Sequence, residues 1–175
     1  MQSFDSDGVE IAYLDEGDGD PVLLIHGFAS NATVNWVDTG WVRLLVGQGR
    51  RAIAMDNRGH GRSQKLYRPT DYGAALMAED ARRLLDRLSI PRADVIGYSM
   101  GVRIAAFLAL AYPARVRSAI FGGLGVNIVL PMTGTEAIAA ALEAGRADQV
   151  ADPVARTFRL FADQTGADRL ALAAC

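Results

Sequence analysis

The sequence predicts an α/β protein in which a mainly parallel sheet carries helices on both faces. Three observations lead there. Strand-length apolar runs at 21–25, 51–56, 93–98 and 116–121 alternate with segments of helical period. The runs are close to unbroken rather than alternating, which marks strands buried on both sides. They open into turn formers such as His26-Gly27, Asp56-Asn57 and Gly122-Gly123.

Taken in order, Val9 to Leu14 alternates in part and follows the turn signal Asp7-Gly8, so it reads as part of a hairpin. Residues 15–20 form a Gly/Asp loop before the buried strand 21–25. The spacing at 36–47 predicts a short helix with Trp41, Leu44 and Leu45 on one face. Strand 51–56 opens into the Gly-rich loop 57–63. Thr70 or Asp71 is expected to cap a helix over 75–88, with Leu76, Ala81, Leu84, Leu85 and Leu88 recurring at helical intervals until Pro91 stops it. Strand 93–98 runs directly into a helix over 100–112, ended by Pro113, and strand 116–121 follows. Beyond Gly123 the rhythm changes. Segments 135–145, 152–163 and 167–175 all read as helices with no strand between them, as in an excursion that covers a sheet. The expected organisation is a core over 1–123 and a helical cap segment over 124–175.

Composition narrows the class. The 175 residues suit one domain, half of them hydrophobic and 22% charged, as in an ordinary globular protein. A net charge of -2 offers no electrostatic case for binding nucleic acid or an anionic membrane. One cysteine, Cys175, excludes an internal disulfide framework. The first residues lack the basic and apolar regions of a signal peptide, and no apolar run nears the roughly 20 residues that span a bilayer. The expected location is the cytoplasm.

Three motifs carry chemistry. Gly97-Tyr98-Ser99-Met100-Gly101 sits where a strand becomes a helix, a sharp turn that would present the Ser99 hydroxyl as a nucleophile. The bland alternative is a Gly-rich turn with a solvated serine. His26-Gly27-Phe28 ends a buried strand, where a backbone N–H can help hold negative charge; read blandly, it is a strand-ending turn. Asp56-Asn57-Arg58-Gly59-His60-Gly61-Arg62-Ser63 is a loop of turn formers able to bond its own backbone. No Cys/His cluster, P-loop or dinucleotide fingerprint is present, so no metal or organic cofactor is implied.

Together and in this order, the motifs resemble the α/β-hydrolase superfamily, in its branch with an H-G-F loop and a D-x-R-G-H-G-x-S loop. The resemblance runs from about Val9 to Gly123, and the later helices are similar to the start of that family's cap. It implies Ser99 as nucleophile and the Phe28 and Met100 amides as the oxyanion hole. It also implies that His26, Gly27, Asp56, Arg58, Gly59, His60, Gly61 and Ser63 are structural. A small carboxylic ester is the implied substrate; C–C hydrolysis and perhydrolysis remain open alternatives.

The chain departs from the family in one respect. The family's acid and histidine follow the nucleophile, yet His26 and His60, the only histidines, both precede Ser99. Asp148, Asp152, Asp163 and Asp168 read as solvated helix-face charges, and Cys175 as an apolar helix position. Strand 116–121, read as interior, would be left as an edge that invites association. The expectation is therefore a fragment that is inert alone. The acid and base would come from a C-terminal portion of roughly a hundred residues, expected as a second chain. A non-catalytic binding protein on the same scaffold is the competing reading.

Overall fold

The computed structural model describes residues 1–130 and 133–175. Six strands form one sheet: β1 (Gln2–Asp5), β2 (Glu10–Glu16), β3 (Asp20–Ile25), β4 (Arg50–Met55), β5 (Ala93–Tyr98) and β6 (Val116–Gly122), in the order β1-β2-β4-β3-β5-β6. The β1–β2 and β2–β4 pairs are antiparallel, whereas β4–β3, β3–β5 and β5–β6 are parallel. Leu23, Leu24, Ile25, Ile53, Ala54 and Met55 are wholly buried, as runs covered on both faces must be.

Helices α1 (Trp41–Gly47), α2 (Ala74–Arg87) and α3 (Met100–Ala111) supply the two layers. Met77, Ala81, Leu84, Ile104 and Leu108 of α2 and α3 pack on Leu23, Ile25, Ile53 and Val95. Alternate residues of the same strands, Val22, Leu24, Ala52 and Ala54, meet Trp36 and Val42 on the opposite face. From β3 the chain passes to β4 on one side, then returns across β3 to β5 on the other. The C-terminal ends of β3 and β5 thus flank a topological switch point, where open α/β sheets form their ligand crevice.

Three local expectations are corrected. The helix expected over 36–47 begins only at Trp41, because Gly40 takes a left-handed φ of 84° after a π-turn at Thr33–Val37. Val42 is its buried residue, while Trp41 and Leu44 are exposed. Neither Thr70 nor Asp71 caps α2: both lie in a 3₁₀ turn, Pro69–Asp71, and Gly73 is the N-cap with no side-chain bond. Asp71 accepts instead from the Arg68 guanidinium at 2.8 and 3.0 Å. Leu76 is exposed, and Met77 and Ala78 take the buried face.

Helices α4 (Thr135–Glu143), α5 (Pro153–Gln164) and α6 (Arg169–Ala174) pack on one another around Ile138, Ala141, Leu142, Ala155, Ala162 and Leu172. Ala29, from the loop after β3, is part of this cluster. β6 lies at the sheet edge, with Ile120 and Phe121 exposed. No helix among the described residues is long and apolar enough to cross a membrane.

Candidate active site

The turn at Ser99 is backbone-strained. Its φ of 51° and ψ of −117° belong to a region that residues with a Cβ rarely occupy, and such strain concentrates at functional turns. The surrounding glycines make the turn feasible. A Cβ on Gly101 would sit on the Ile25 carbonyl and 2.8 Å from the His26 carbonyl oxygen. One on Gly97 would come within 2.9 Å of the Val102 Cα. The Ser99 N–H donates to the Gly122 carbonyl at 2.8 Å, tying the turn to the end of β6. Ser99 is half-buried, and among the described residues its Oγ has no hydrogen-bond partner.

The loop after β3 lies against this turn: a Cβ on Gly27 would be 3.2 Å from the Ser99 Cβ. Gly27 to Ser30 form a turn closed by Ser30 N–H to Gly27 O at 3.3 Å, with Ala29 at φ 57° in the third position. That is the pattern of a type II turn, which favours glycine there. Asn35 Oδ1 accepts the Gly27 N–H at 3.1 Å and anchors the start of the loop. Among the described residues the Phe28 N–H donates to no protein partner, and neither does the Met100 N–H in the first turn of α3. Free donors at a helix start favour an anion.

The loop from Asp56 to Ser63 is a scaffold. Buried Asp56 accepts from Ala32 N at 2.7 Å and Arg62 N at 2.7 Å, so one carboxylate joins the loops after β3 and β4. A Cβ on Gly61 would collide with that carboxylate, and one on Gly59, at φ 76°, would strike the Tyr72 ring. Ser63 Oγ donates to Asp56 O at 2.6 Å and accepts from Ala12 N at 2.9 Å. Arg58 makes a forked pair with Asp80 at 2.7 and 2.8 Å, and Ser6 Oγ donates to the same carboxylate at 2.6 Å. Lys65 Nζ donates to the carbonyls of Gly61 and Ser63 at 2.6 Å and His60 at 3.2 Å. Asn35, Lys65 and Asp80 escaped sequence reading. Only Asp80 left a signal, a carboxylate on the apolar face of a helix.

Neither histidine is placed to serve Ser99. His26 is fully buried; its Nε2 accepts the Asn57 N–H at 2.9 Å, so Nδ1 carries the proton and donates to Gly27 O at 2.8 Å. His60 is equally buried, with Nδ1 on Arg58 O at 2.9 Å and Nε2 unpartnered. Burial lowers His26 to about 4. His60 falls to about 3, through burial first and then the neighbouring His26 ring, whose centroid is 5.2 Å away. Both rings are therefore neutral at physiological pH.

The acids around α4 to α6 have more definite work than solvated charge. Asp152 and Asp168 are N-caps, accepting from Ala155 N at 2.7 Å and Ala171 N at 3.0 Å. Asp148 pairs with Arg146, and Asp163 with Arg159. Cys175, expected at an apolar position, is exposed. No group of three or more His, Cys, Asp or Glu among the described residues could hold a metal ion. A cavity of about 700 Å³ lies away from Ser99. It follows the outside of α3 and β6, between Phe107, Leu110, Phe121 and Val129.

A family model described as the alpha/beta hydrolase fold matches residues 20–171. The chain belongs to that family. It is 36% identical over 115 residues to a non-heme chloroperoxidase of Kitasatospora aureofaciens, a match covering 65% of this chain and 40% of the relative. It is 38% identical over 121 residues to a 2-hydroxymuconate semialdehyde hydrolase of Pseudomonas putida, covering 68% and 41%. The chain thus spans less than half the length of these relatives. Among solved structures, an N-acyl homoserine lactone degrading enzyme aligns with a TM-score of 0.71 at 25% identity, covering 99% of this chain and 70% of that one. An esterase from Exiguobacterium antarcticum aligns at 0.74 and 23% identity over 95% and 68%, a likeness of fold.

Proposed function

We propose that this chain carries the nucleophile half of a serine hydrolase acting on a small carboxylic ester. The observation that carries the reading is the half-buried, unpartnered Ser99 hydroxyl on a strained turn with two free N–H donors beside it. Ser99 Oγ attacks the ester carbonyl while a histidine takes its proton. The Phe28 and Met100 amides hold the oxyanion of the tetrahedral intermediate. The histidine returns the proton to the departing alcohol, leaving an acyl group on Ser99. Water, deprotonated by the same histidine, attacks that acyl-enzyme, releases the acid and restores the hydroxyl.

Histidine and acid are supplied, in this reading, by a C-terminal portion. The engaged nitrogens of His26 and the absence of a histidine on Ser99 among the described residues support it. The exposed β6 edge and its apolar groove are where we place that portion's contact. The proposed compartment is the cytoplasm. Without a base a serine hydroxyl is a poor nucleophile, so the 175-residue chain alone is expected to be inactive.

The test compares p-nitrophenyl ester hydrolysis by the chain, by its Ser99→Ala variant, and by each joined to the C-terminal portion. The expected result is equal rates for the two isolated chains and a serine-dependent rate only in the longer protein. A Ser99-dependent rate from the isolated chain refutes the supplied base, and none from the longer protein refutes the nucleophile. The 38% identity to a 2-hydroxymuconate semialdehyde hydrolase favours a second reading, C–C hydrolysis by the same serine. Cleavage of a vinylogous diketone faster than of esters would select it.

A further inference from the structure

Resting on the hydrolase reading, we propose that Thr165, at the end of α5, is a positioning residue for the oxyanion donor Phe28. Its Oγ1 lies 2.8 Å from the carbonyl of Ala29, 136 positions away in the chain. The same hydroxyl is 3.1 Å from Phe161 O and 3.2 Å from Ala162 O within its own helix. It has one proton, and the shortest contact is the one that crosses to the Ala29 loop.

Ala29 is where such a bond matters. It holds a φ of 57°, is wholly buried, and follows directly on the residue whose N–H is to meet the oxyanion. A non-glycine residue in that conformation persists only when its surroundings over-determine it. Two contacts from α5 do so. Thr165 fixes the Ala29 carbonyl, and the Phe158 ring meets the Phe28 ring edge-to-face at a centroid separation of 5.9 Å. The Ala29 methyl completes the contact by packing into the α4–α6 cluster. The Thr165 bond holds the Ala29–Ser30 peptide; without it the turn from Gly27 to Ser30 is free to relax from the left-handed conformation at Ala29, and the Phe28 N–H in that same turn shifts with it. The end of α5 thus aims a donor on a loop far away in sequence.

Thr165→Val keeps the shape and removes the O–H, and Thr165→Ser keeps the O–H. Hydrogen exchange over residues 27–31 reads the loop in the 175-residue chain, with no activity needed. Turnover reads the donor in the longer protein that supplies the base. The valine variant is expected to exchange about tenfold faster and to lose about tenfold in kcat at nearly unchanged KM, with serine restoring both to within about twofold. Unchanged exchange in the valine variant overturns the inference. So does faster exchange with unchanged kcat in a protein whose turnover depends on Ser99. Turnover independent of Ser99 overturns the hydrolase reading itself, and the inference with it.

Discussion

Lowering the pH from 8 to 5 should destabilise the folded chain by several kcal/mol, chiefly through two buried histidines. His26 and His60 have folded pKa values of about 4 and about 3, against 6.5 for an ordinary histidine. The folded state therefore binds fewer protons than the unfolded state between these limits. Their contribution is fully present above pH 6.5 and is lost as pH falls toward the folded values. At pH 5 each histidine costs the folded state about 2 kcal/mol relative to pH 8, about 4 kcal/mol together. That is a large fraction of the roughly 5–15 kcal/mol that holds a domain folded. Carboxylates whose pKa is held low, such as Asp94 and Asp168, act in the same direction but lose their contribution only below about pH 4. Urea unfolding followed by tryptophan fluorescence at pH 8, 6.5 and 5 measures the difference. His60→Phe should roughly halve the pH dependence, whatever it does to the stability at pH 8. A change below about 1 kcal/mol between pH 8 and 5 would show that the rings do not stay neutral in the fold.

Three further outcomes follow from the packing. Gly101→Ala should cost about 3 kcal/mol or more, because its Cβ meets the backbone of β3 and no flexible side chain can yield; a soluble variant with unchanged Tm would contradict the close approach. Arg58→Ala leaves the buried Asp80 carboxylate without its guanidinium and should cost about 3–5 kcal/mol in urea unfolding, with loss under 1 kcal/mol as the opposing result. Ser99→Gly should exceed Ser99→Ala in stability by about 1 kcal/mol, since glycine relieves the turn at φ 51°; equal midpoints would mean that the turn stores no strain.

The strands and the turn at Ser99 were legible because their signals are local. An unbroken apolar run has to be covered on both faces, and glycines two residues either side of Ser99 permit an approach that any Cβ would block. The helix faces were less legible. The spacing at 36–47 fits more than one rotation, and it was Gly40 and the shape of the sheet that buried Val42 and left Trp41 exposed. Asn35, Asp80 and Thr165 left little or no local signal, because each acts on a loop that is distant in sequence or belongs to another element.

By itself the sequence determined the order of the elements, the elbow at Ser99 and the loops that end β3 and β4, because hydrophobic period and glycine placement act over a few residues. The tertiary structure alone decided that the two histidines face each other in a neutral, buried pair. It decided too that Asp56 ties two loops together, and that a helix end more than a hundred residues downstream grips the Ala29 carbonyl. Those contacts arise from the crossing of the chain over its own sheet, and that crossing is a property of the whole fold.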